Sequence, residues 1–333
     1  MRLLPCSSAP PPGAPPPRLS LIVPLYNCLG LTTAMLASLH ATLPPGISAE
    51  LLLVDDGSTD GTPAWLEEIA ARPPAGWLPL RILVNERNRG FAVSNNRAAA
   101  LARGELLLLL NNDLVLLPGW LEPLLAAHTQ LGARAGLVGN VQLDAATGAV
   151  DHAGLELTPQ GKPIHVRELP RAESFGDGIR IVPAVTGACV LLSRALWEEL
   201  GGFDEGYVNG GEDIDLGYRA RGAGRVNAVA LSSVIRHHVS SSPNRKARDE
   251  QNSRRLALRW REQLLADSVI PWCRAHLAEA WVQPKQQDCL VTLRTAGFLA
   301  GLRRTPPPEA SLRVAQAMRR EFTRWDELCG QGA

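Results

Sequence analysis

Four short polar clusters hold the residue types that chemistry uses: Asp55-Asp56-Gly57-Ser58-Thr59-Asp60, Asn111-Asn112-Asp113, Gly210-Gly211-Glu212-Asp213-Ile214-Asp215, and His237-His238. A carboxylate at position 56 can accept a hydrogen bond from an N–H on a planar base, and the ring of Tyr26 offers a face on which that base stacks. Asp113 can anchor a divalent cation, the charge that a sugar diphosphate needs before its phosphate can leave. A histidine of the fourth cluster can supply the second ligand that a lone carboxylate requires. Placing two glycines directly before Glu212-Asp213 costs order, and is best understood where backbone must approach a ligand closely. Each cluster also has an architectural account. Ser58, Thr59 or Asp60 can cap a helix, Asn111 to Asp113 can be a polar turn, Asp215 and Arg219 form an i,i+4 pair, and a neutral histidine can close a strand.

The clusters follow apolar runs that must position them. Leu19 to Val23 is a short apolar segment closed by Pro24, the pattern of a buried strand. A helical stretch from Leu29 to Leu43, a strand from Glu50 to Val54, a helix near Pro63 to Ala71, a strand at Leu80 to Val84, a helix from Ala92 to Arg103 and a strand from Glu105 to Leu110 follow in turn. This alternation predicts an α/β fold whose mostly parallel sheet is covered by helices on both faces. Ligands of such sheets bind beyond the carboxyl ends of the strands, which puts Tyr26-Asn27, Asp55-Asp56 and Asn111 to Asp113 on one rim. Beyond Trp120 the pattern loosens into glycine-rich turns from Gly132 to Gly178, with a strand-like Ile179 to Val185. After Asn244 the chain becomes basic and helical in character, ending in a helix from Ala310 to Leu328.

The bulk composition narrows the partners. With 34 basic and 33 acidic residues the formal net charge is +1, so no global field favours nucleic acid and any anion must be held locally. The six cysteines form no C-x-x-C pair, which argues against a zinc knuckle or disulfide framework and for a reducing compartment. Residues 1–18 are proline-dominated without the pattern of a signal peptide, and are expected to be a disordered leader. The longest purely apolar run, Leu106 to Leu110, is far short of the roughly 20 residues needed to cross a bilayer. The expected location is the cytoplasm.

Read together, Val23-Pro24-Leu25-Tyr26-Asn27, Val54 to Asp60, Asn88-Arg89-Gly90-Phe91-Ala92 with Asn95-Asn96, Leu108 to Asp113, Thr186-Gly187-Ala188-Cys189, Gly201 to Glu205, Glu212 to Leu216, and His237 resemble glycosyltransferase family 2 in the GT-A fold, particularly its rhamnosyltransferase-like branch. The resemblance runs from Leu19 to Leu264. It implies a disordered leader at 1–18, a GT-A domain with a Rossmann-like sheet at 19–264 and a helical C-terminal extension at 265–333.

The resemblance also implies roles. Tyr26 and Asp56 hold the nucleotide base, Pro24 and Asn27 shape its pocket, and Asn96 lines the nucleotide side. The family's D-x-D motif stands here as Asn111-Asn112-Asp113, which departs from the two-carboxylate form. Asp113 and His237 carry the metal, Mn²⁺ or Mg²⁺, with Asn112 at most a weaker contact to ribose or metal. Gly187 lets backbone lie against the donor sugar, although a tight turn accounts for it equally. Asp213 is the general base and Glu212 orients it or binds the acceptor. The implied reaction is inverting transfer from a nucleotide-diphosphate sugar to a glycan or lipid-linked acceptor in cell-surface polysaccharide or glycolipid synthesis. It requires Asp113 and Asp213 to share one cleft.

Of two competing readings the first is discarded and the second remains. A dinucleotide dehydrogenase needs G-x-G-x-x-G after the first strand, where this chain has Pro24 to Gly30. A non-catalytic nucleotide-sugar scaffold fits the loss of a carboxylate at Asn112, against which stands the Glu212-Asp213 pair. The arginines and tryptophans of the tail suit either packing or peripheral contact with an anionic membrane on its inner face.

Overall fold

The computed structural model describes residues 2–9, 13–169, 178–238, 249–283 and 287–330. They form two compact units: residues 1–155 with 165–247, and residues 156–164 with 248–333. In chain order the first unit contains β1 (Arg2–Leu4), β2 (Leu19–Leu25), α1 (Leu29–Thr42), β3 (Ala49–Asp55), α2 (Thr62–Ala71), β4 (Leu80–Val84), α3 (Phe91–Ala99) and β5 (Leu106–Leu110). It continues with β6 (Leu114–Leu116), α4 (Leu121–Leu131), β7 (Ala135–Asp144) and β8 (Val150–His152). A small two-stranded sheet, β9 (Leu155–Leu157) and β10 (Pro163–His165), brackets the excursion of residues 156–164. The unit then closes with β11 (Ile179–Ile181), β12 (Cys189–Ser193), α5 (Arg194–Leu200), α6 (Glu212–Gly222) and β13 (Val226–His237).

The strands form one sheet in the order β1-β4-β3-β2-β5-β12-β7-β13-β11, with β6 on β13 and β8 on β7. The expected parallel core is β4-β3-β2-β5. Next to it β12 runs antiparallel to both β5 and β7, whereas β13 returns parallel to β7. Five consecutive leucines in β5 are explained by burial on both faces. Leu106, Leu108 and Leu110 join the core under α1, α2 and α4, while Leu107 and Leu109 join the one under α3, α5 and α6. Each fully buried leucine contributes about 1.5–3 kcal/mol, so this strand is anchored from both sides.

Three sequence expectations change. Part of the leader is ordered: Arg2–Leu4 pairs antiparallel with β4, and burial of Leu4 explains why an edge next to a proline-rich segment holds a strand. The glycine-rich stretch after Gly132 contains the ten-residue β7, where glycines mark close approach rather than turns. A Cβ at Gly136 would sit 2.5 Å from Asn227 Oδ1, and one at Gly139 would sit 2.8 Å from Val185 Cβ. The second compact unit begins before α7 (Asp249–Arg259) rather than after Leu264.

The second unit adds α8 (Arg261–Val282), α9 (Cys289–Leu299) and α10 (Pro308–Gly330). Its small apolar centre is Val269, Cys273 and Ala310. Polar ties supplement it: Glu250 accepts from both Arg324 and Trp325 Nε1, and Lys162 lies 2.9 Å from Glu321. Among the described residues no helix is long and apolar enough to cross a membrane.

Candidate functional site

The carboxyl ends of β2, β3 and β5 open on one cleft of about 280 Å³, lined by Pro24, Leu25, Tyr26, Asp56, Asn88, Gly90, Phe91, Asn111, Asn112, Asp113, Thr186, Gly187, Ala188, Asn209, Gly210, Glu212 and Asp213. Leu25 ends β2, and its carbonyl accepts the Asp56 N–H at 2.8 Å, so the two strand ends are fastened together. Beyond them the ring of Tyr26 is 40% exposed at the cleft, a free aromatic face on a rigid support.

Asp56 is only 4% exposed, and the protein already engages both of its oxygens. Oδ1 accepts Asn85 Nδ2 and the Arg89 N–H, each at 2.9 Å, and Oδ2 accepts the Gly90 N–H at 2.8 Å. The carboxylate therefore folds the Asn88–Gly90 loop over the cleft as well as facing it, a duty that sequence reading missed. Gly57 lets that loop close: at φ 76°, a Cβ here would meet the Arg87 backbone at 2.6 Å.

The metal-ligand candidates are brought together by the sheet. β6 pairs antiparallel with β13, placing His237 opposite Leu114, and the His238 N–H donates to the Asp113 carbonyl at 3.0 Å. Alternation along the strand then points His237 inward, 5% exposed, and leaves His238 outward. His237 Nε2 lies 3.2 Å from Asp113 Oδ1. That distance suits a hydrogen bond but the alignment does not, and neither ring nitrogen of His237 has a hydrogen-bond partner among the described residues. Asn111 Oδ1 is likewise buried without one, while Asn111 lines the cleft. An imidazole nitrogen without a hydrogen-bond partner beside a carboxylate is of the chemical type that ligates a divalent cation. No cluster of three or more His, Cys, Asp or Glu exists among the described residues, so protein would supply only part of the coordination shell.

Across the cleft, the antiparallel β12 begins where β5 ends. The Asn111 N–H donates to the Ala188 carbonyl at 2.8 Å, which puts Thr186–Ala188 beside Asn111–Asp113. Gly187 N–H donates to Asp213 Oδ2 at 2.9 Å, and the Ile214 N–H to Asp213 Oδ1 at 2.8 Å. Asp213 and Glu212 sit in the first turn of α6, where acidic groups are favoured by the helix dipole. Glu212 Oε2 accepts the Gly210 N–H at 2.7 Å, so it braces the approach to Asp213. Gly187 is tightly placed: a Cβ there would lie 3.1 Å from the Phe91 ring, which would have to shift by a few tenths of an ångström.

The cleft thus gathers Pro24, Tyr26, Asp56, Asn112, Asp113, Gly187, Glu212 and Asp213, with His237 behind Asp113. Asn112 donates Nδ2 to Thr32 Oγ1 at 2.9 Å, which fixes its orientation. Two other candidates stand outside the lining. Asn27 is outside the lining and laces two loops, its N–H donating to Ser58 Oγ and its Oδ1 accepting the Thr59 N–H. Asn96 faces away, donating to the Phe203 carbonyl and accepting the Phe203 N–H, because its place on α3 directs it toward the Gly202–Phe203 turn. Sequence reading assigned no role to Asn88, Asn111, Phe91 or Asn209. The first three lie within motifs already recognised, and Asn209 is signalled only by the glycines after it. His238 precedes Ser240, Ser241 and Ser242, which lie outside the described residues.

Known proteins resemble this chain in sequence and fold. A mycobacterial N-acetylglucosaminyl-diphospho-decaprenol L-rhamnosyltransferase (Mycobacterium tuberculosis) is 30% identical over 63% of this chain and 72% of its own length. The O-antigen biosynthesis protein RfbC of Myxococcus xanthus is 37% identical over 68% of this chain, and an uncharacterized protein y4gI of Sinorhizobium fredii is 29% identical over 75%. This chain spans only 18% and 28% of those two relatives. Among solved structures, GalNAc-T7 with UDP, GalNAc and Mn²⁺ matches with a TM-score of 0.61 at 18% identity, covering 78% of this chain and 51% of the other. The Pyrobaculum calidifontis mannosyltransferase PcManGT, with GDP-Man and Mn²⁺, matches with a TM-score of 0.55 at 21% identity over 96% and 90%. These likenesses show the GT-A fold. Residues 20–200, just over half of the sequence, match the family described as Glycosyl transferase family 2, and the chain belongs to that family.

Proposed function

We propose that the cleft carries out inverting transfer of a sugar from a nucleotide-diphosphate donor to an acceptor hydroxyl. The observation that carries this reading is that Asp113 and Asp213, from opposite sides of the sheet's seam, line one cleft whose other end is Tyr26 and Asp56. Tyr26 stacks the base, and the loop held by Asp56 closes its edge. Asp113 and His237 would hold the divalent cation, Mn²⁺ or Mg²⁺, whose chemistry when bound is to neutralise the diphosphate leaving group. Asn112, held by Thr32, would be at most a weaker contact to ribose or metal, and Gly187 would let backbone lie against the donor sugar.

Asp213 takes the proton of the acceptor hydroxyl as its oxygen bonds to the anomeric carbon. The bond from that carbon to the diphosphate oxygen breaks on the opposite face, and configuration inverts. The two backbone N–H groups on Asp213 hold its carboxylate in place for this single displacement. Glu212 keeps the preceding turn closed.

The names of the bacterial relatives support a hexosyl or deoxyhexosyl donor and a glycan or lipid-linked acceptor in cell-surface polysaccharide or glycolipid synthesis. For a lipid-linked acceptor the protein would work at the inner face of the membrane. In the second unit Trp281 and Leu302 are exposed, and Arg303 and Arg304 are exposed beside Leu302, the residue types that rest on an anionic lipid surface. Equal recovery of the full chain and of its Trp281→Ser/Leu302→Ser variant with anionic liposomes would remove the membrane role. The transfer reading is tested by a screen of UDP-, dTDP- and GDP-sugars with and without Mn²⁺, repeated on Asp213→Asn. Loss of transfer with retained nucleotide binding is expected. Transfer at near wild-type rate shows that another group is the base, and binding without turnover of any donor by the wild type shows a scaffold.

A further inference from the structure

The start of α3 is tied to both walls of the cleft. Its N-cap is Gly90 at φ 92°, which has no side chain to satisfy the helix's first amides. One of those amides, Gly90 N–H, goes to Asp56 on the nucleotide wall, and the next, Phe91 N–H, goes to Asn209 Oδ1 at 3.4 Å on the opposite wall. Asn209 heads a run of three left-handed residues, Asn209 at φ 53°, Gly210 at φ 153° and Gly211 at φ 94°, that leads directly into Glu212-Asp213. Glycine adopts such angles without cost, and asparagine is among the few other residues that tolerate φ near 53°. The single non-glycine in this run is the one whose side chain reaches across to α3.

The circuit closes on the far side. Phe91 packs against Gly187, and the Gly187 N–H donates to Asp213 Oδ2. Asp213 is therefore located from two directions, by Gly187 and by the turn that Asn209 anchors. We propose that Asn209 is a positioning residue: its side-chain carbonyl caps α3 from across the cleft and so sets the Glu212-Asp213 segment against the donor. This rests on the reading that the cleft carries out glycosyl transfer. It predicts that the amide oxygen matters more than the backbone angle, and that loosening one wall loosens the other.

Two variants of the full-length chain separate these terms. Asn209→Gly keeps the left-handed backbone and removes the acceptor, whereas Asn209→Asp keeps an acceptor oxygen. By hydrogen exchange, Asn209→Gly should exchange about tenfold faster both at residues 90–92 and at residues 210–214, while Asn209→Asp stays within about twofold of wild type. With Mn²⁺ and an active donor, Asn209→Gly should lower kcat about tenfold while donor KM changes less than about twofold, the signature of a misplaced reacting group. Unchanged exchange at either segment in Asn209→Gly, or equal behaviour of the two variants, overturns the proposal. If the wild type turns over no donor, the transfer reading fails and the exchange result alone decides the coupling.

Discussion

Replacing Asp56 by alanine separates a loop-building role from a purely ligand-binding one. The change removes three hydrogen bonds to a carboxylate, from Asn85 Nδ2, the Arg89 N–H and the Gly90 N–H. Asn85 keeps a second acceptor, Ser94 Oγ at 3.1 Å, so its loss is small. The two backbone amides have no such alternative, and bonds to a charged acceptor contribute about 1.5–3 kcal/mol each. Arg89 is exposed and Gly90 half-buried, so water recovers roughly half of that sum, leaving an expected destabilisation of about 1.5–3 kcal/mol. Asp56→Asn should lose less, about 1–2 kcal/mol, because one oxygen persists while the amide group opposes a single N–H. Equilibrium urea unfolding measures both, and calorimetric titration with UDP and GDP on the same samples measures the functional side. If Asp56→Ala weakens nucleotide binding yet costs under about 0.5 kcal/mol in stability, the carboxylate acts on the base alone and the loop-organising argument is wrong.

Two further outcomes follow from the geometry. His237→Ala should weaken Mn²⁺ binding, read by electron paramagnetic resonance of free Mn²⁺, by about 10- to 100-fold, whereas His238→Ala, on the outward face, should leave it unchanged; the reverse ranking would sink the ligand assignment. Burial holds His152 well below its ordinary value of 6.5, with His165 and His237 adding to the effect, and burial also lowers His40 and His128. Below about pH 6.5 the unfolded chain then binds protons that the folded one refuses, so stability is complete above that pH and falls as pH drops, by up to about 1.4 kcal/mol per pH unit per group. Urea midpoints that rise between pH 7 and pH 5.5 would contradict this.

The parallel half of the fold was readable because each of its strands is an uninterrupted apolar run ended by a polar cluster, and rim position follows from strand direction alone. That logic located Asp56, Asp113 and Tyr26. It did not show where Asn27 and Asn96 point, because residue type reports polarity, not direction: Asn27 turns to the Thr59 backbone and Asn96 to the Phe203 turn. It failed for β7 because two glycines, required by Asn227 and Val185 pressing on the strand, imitate a turn-rich segment. The choice between His237 and His238 needed the β6–β13 register, which depends on pairing between segments far apart in the chain. Asn209 had no periodic signal at all, since its importance lies in a contact with a residue 118 positions away.

The seam between β5 and β12 explains why the two halves of the site do different work. On its parallel side, Tyr26 and the Asp56-held loop stand on strand ends packed from both faces, so under the proposed transfer changes there should act mainly on how well a nucleotide is held. On the other side, β12 enters the rim antiparallel to β5, which is what sets Gly187 beside Asn111 and lets a backbone N–H reach Asp213. Were β12 parallel to β5, the Thr186–Ala188 turn would lie at the opposite edge of the sheet and Asp213 would lose the Gly187 N–H, keeping only that of Ile214. Reversal of one strand is therefore the topological step that gives the parallel edge a second wall, and under the proposed transfer substitutions along that wall should be felt in rate before affinity.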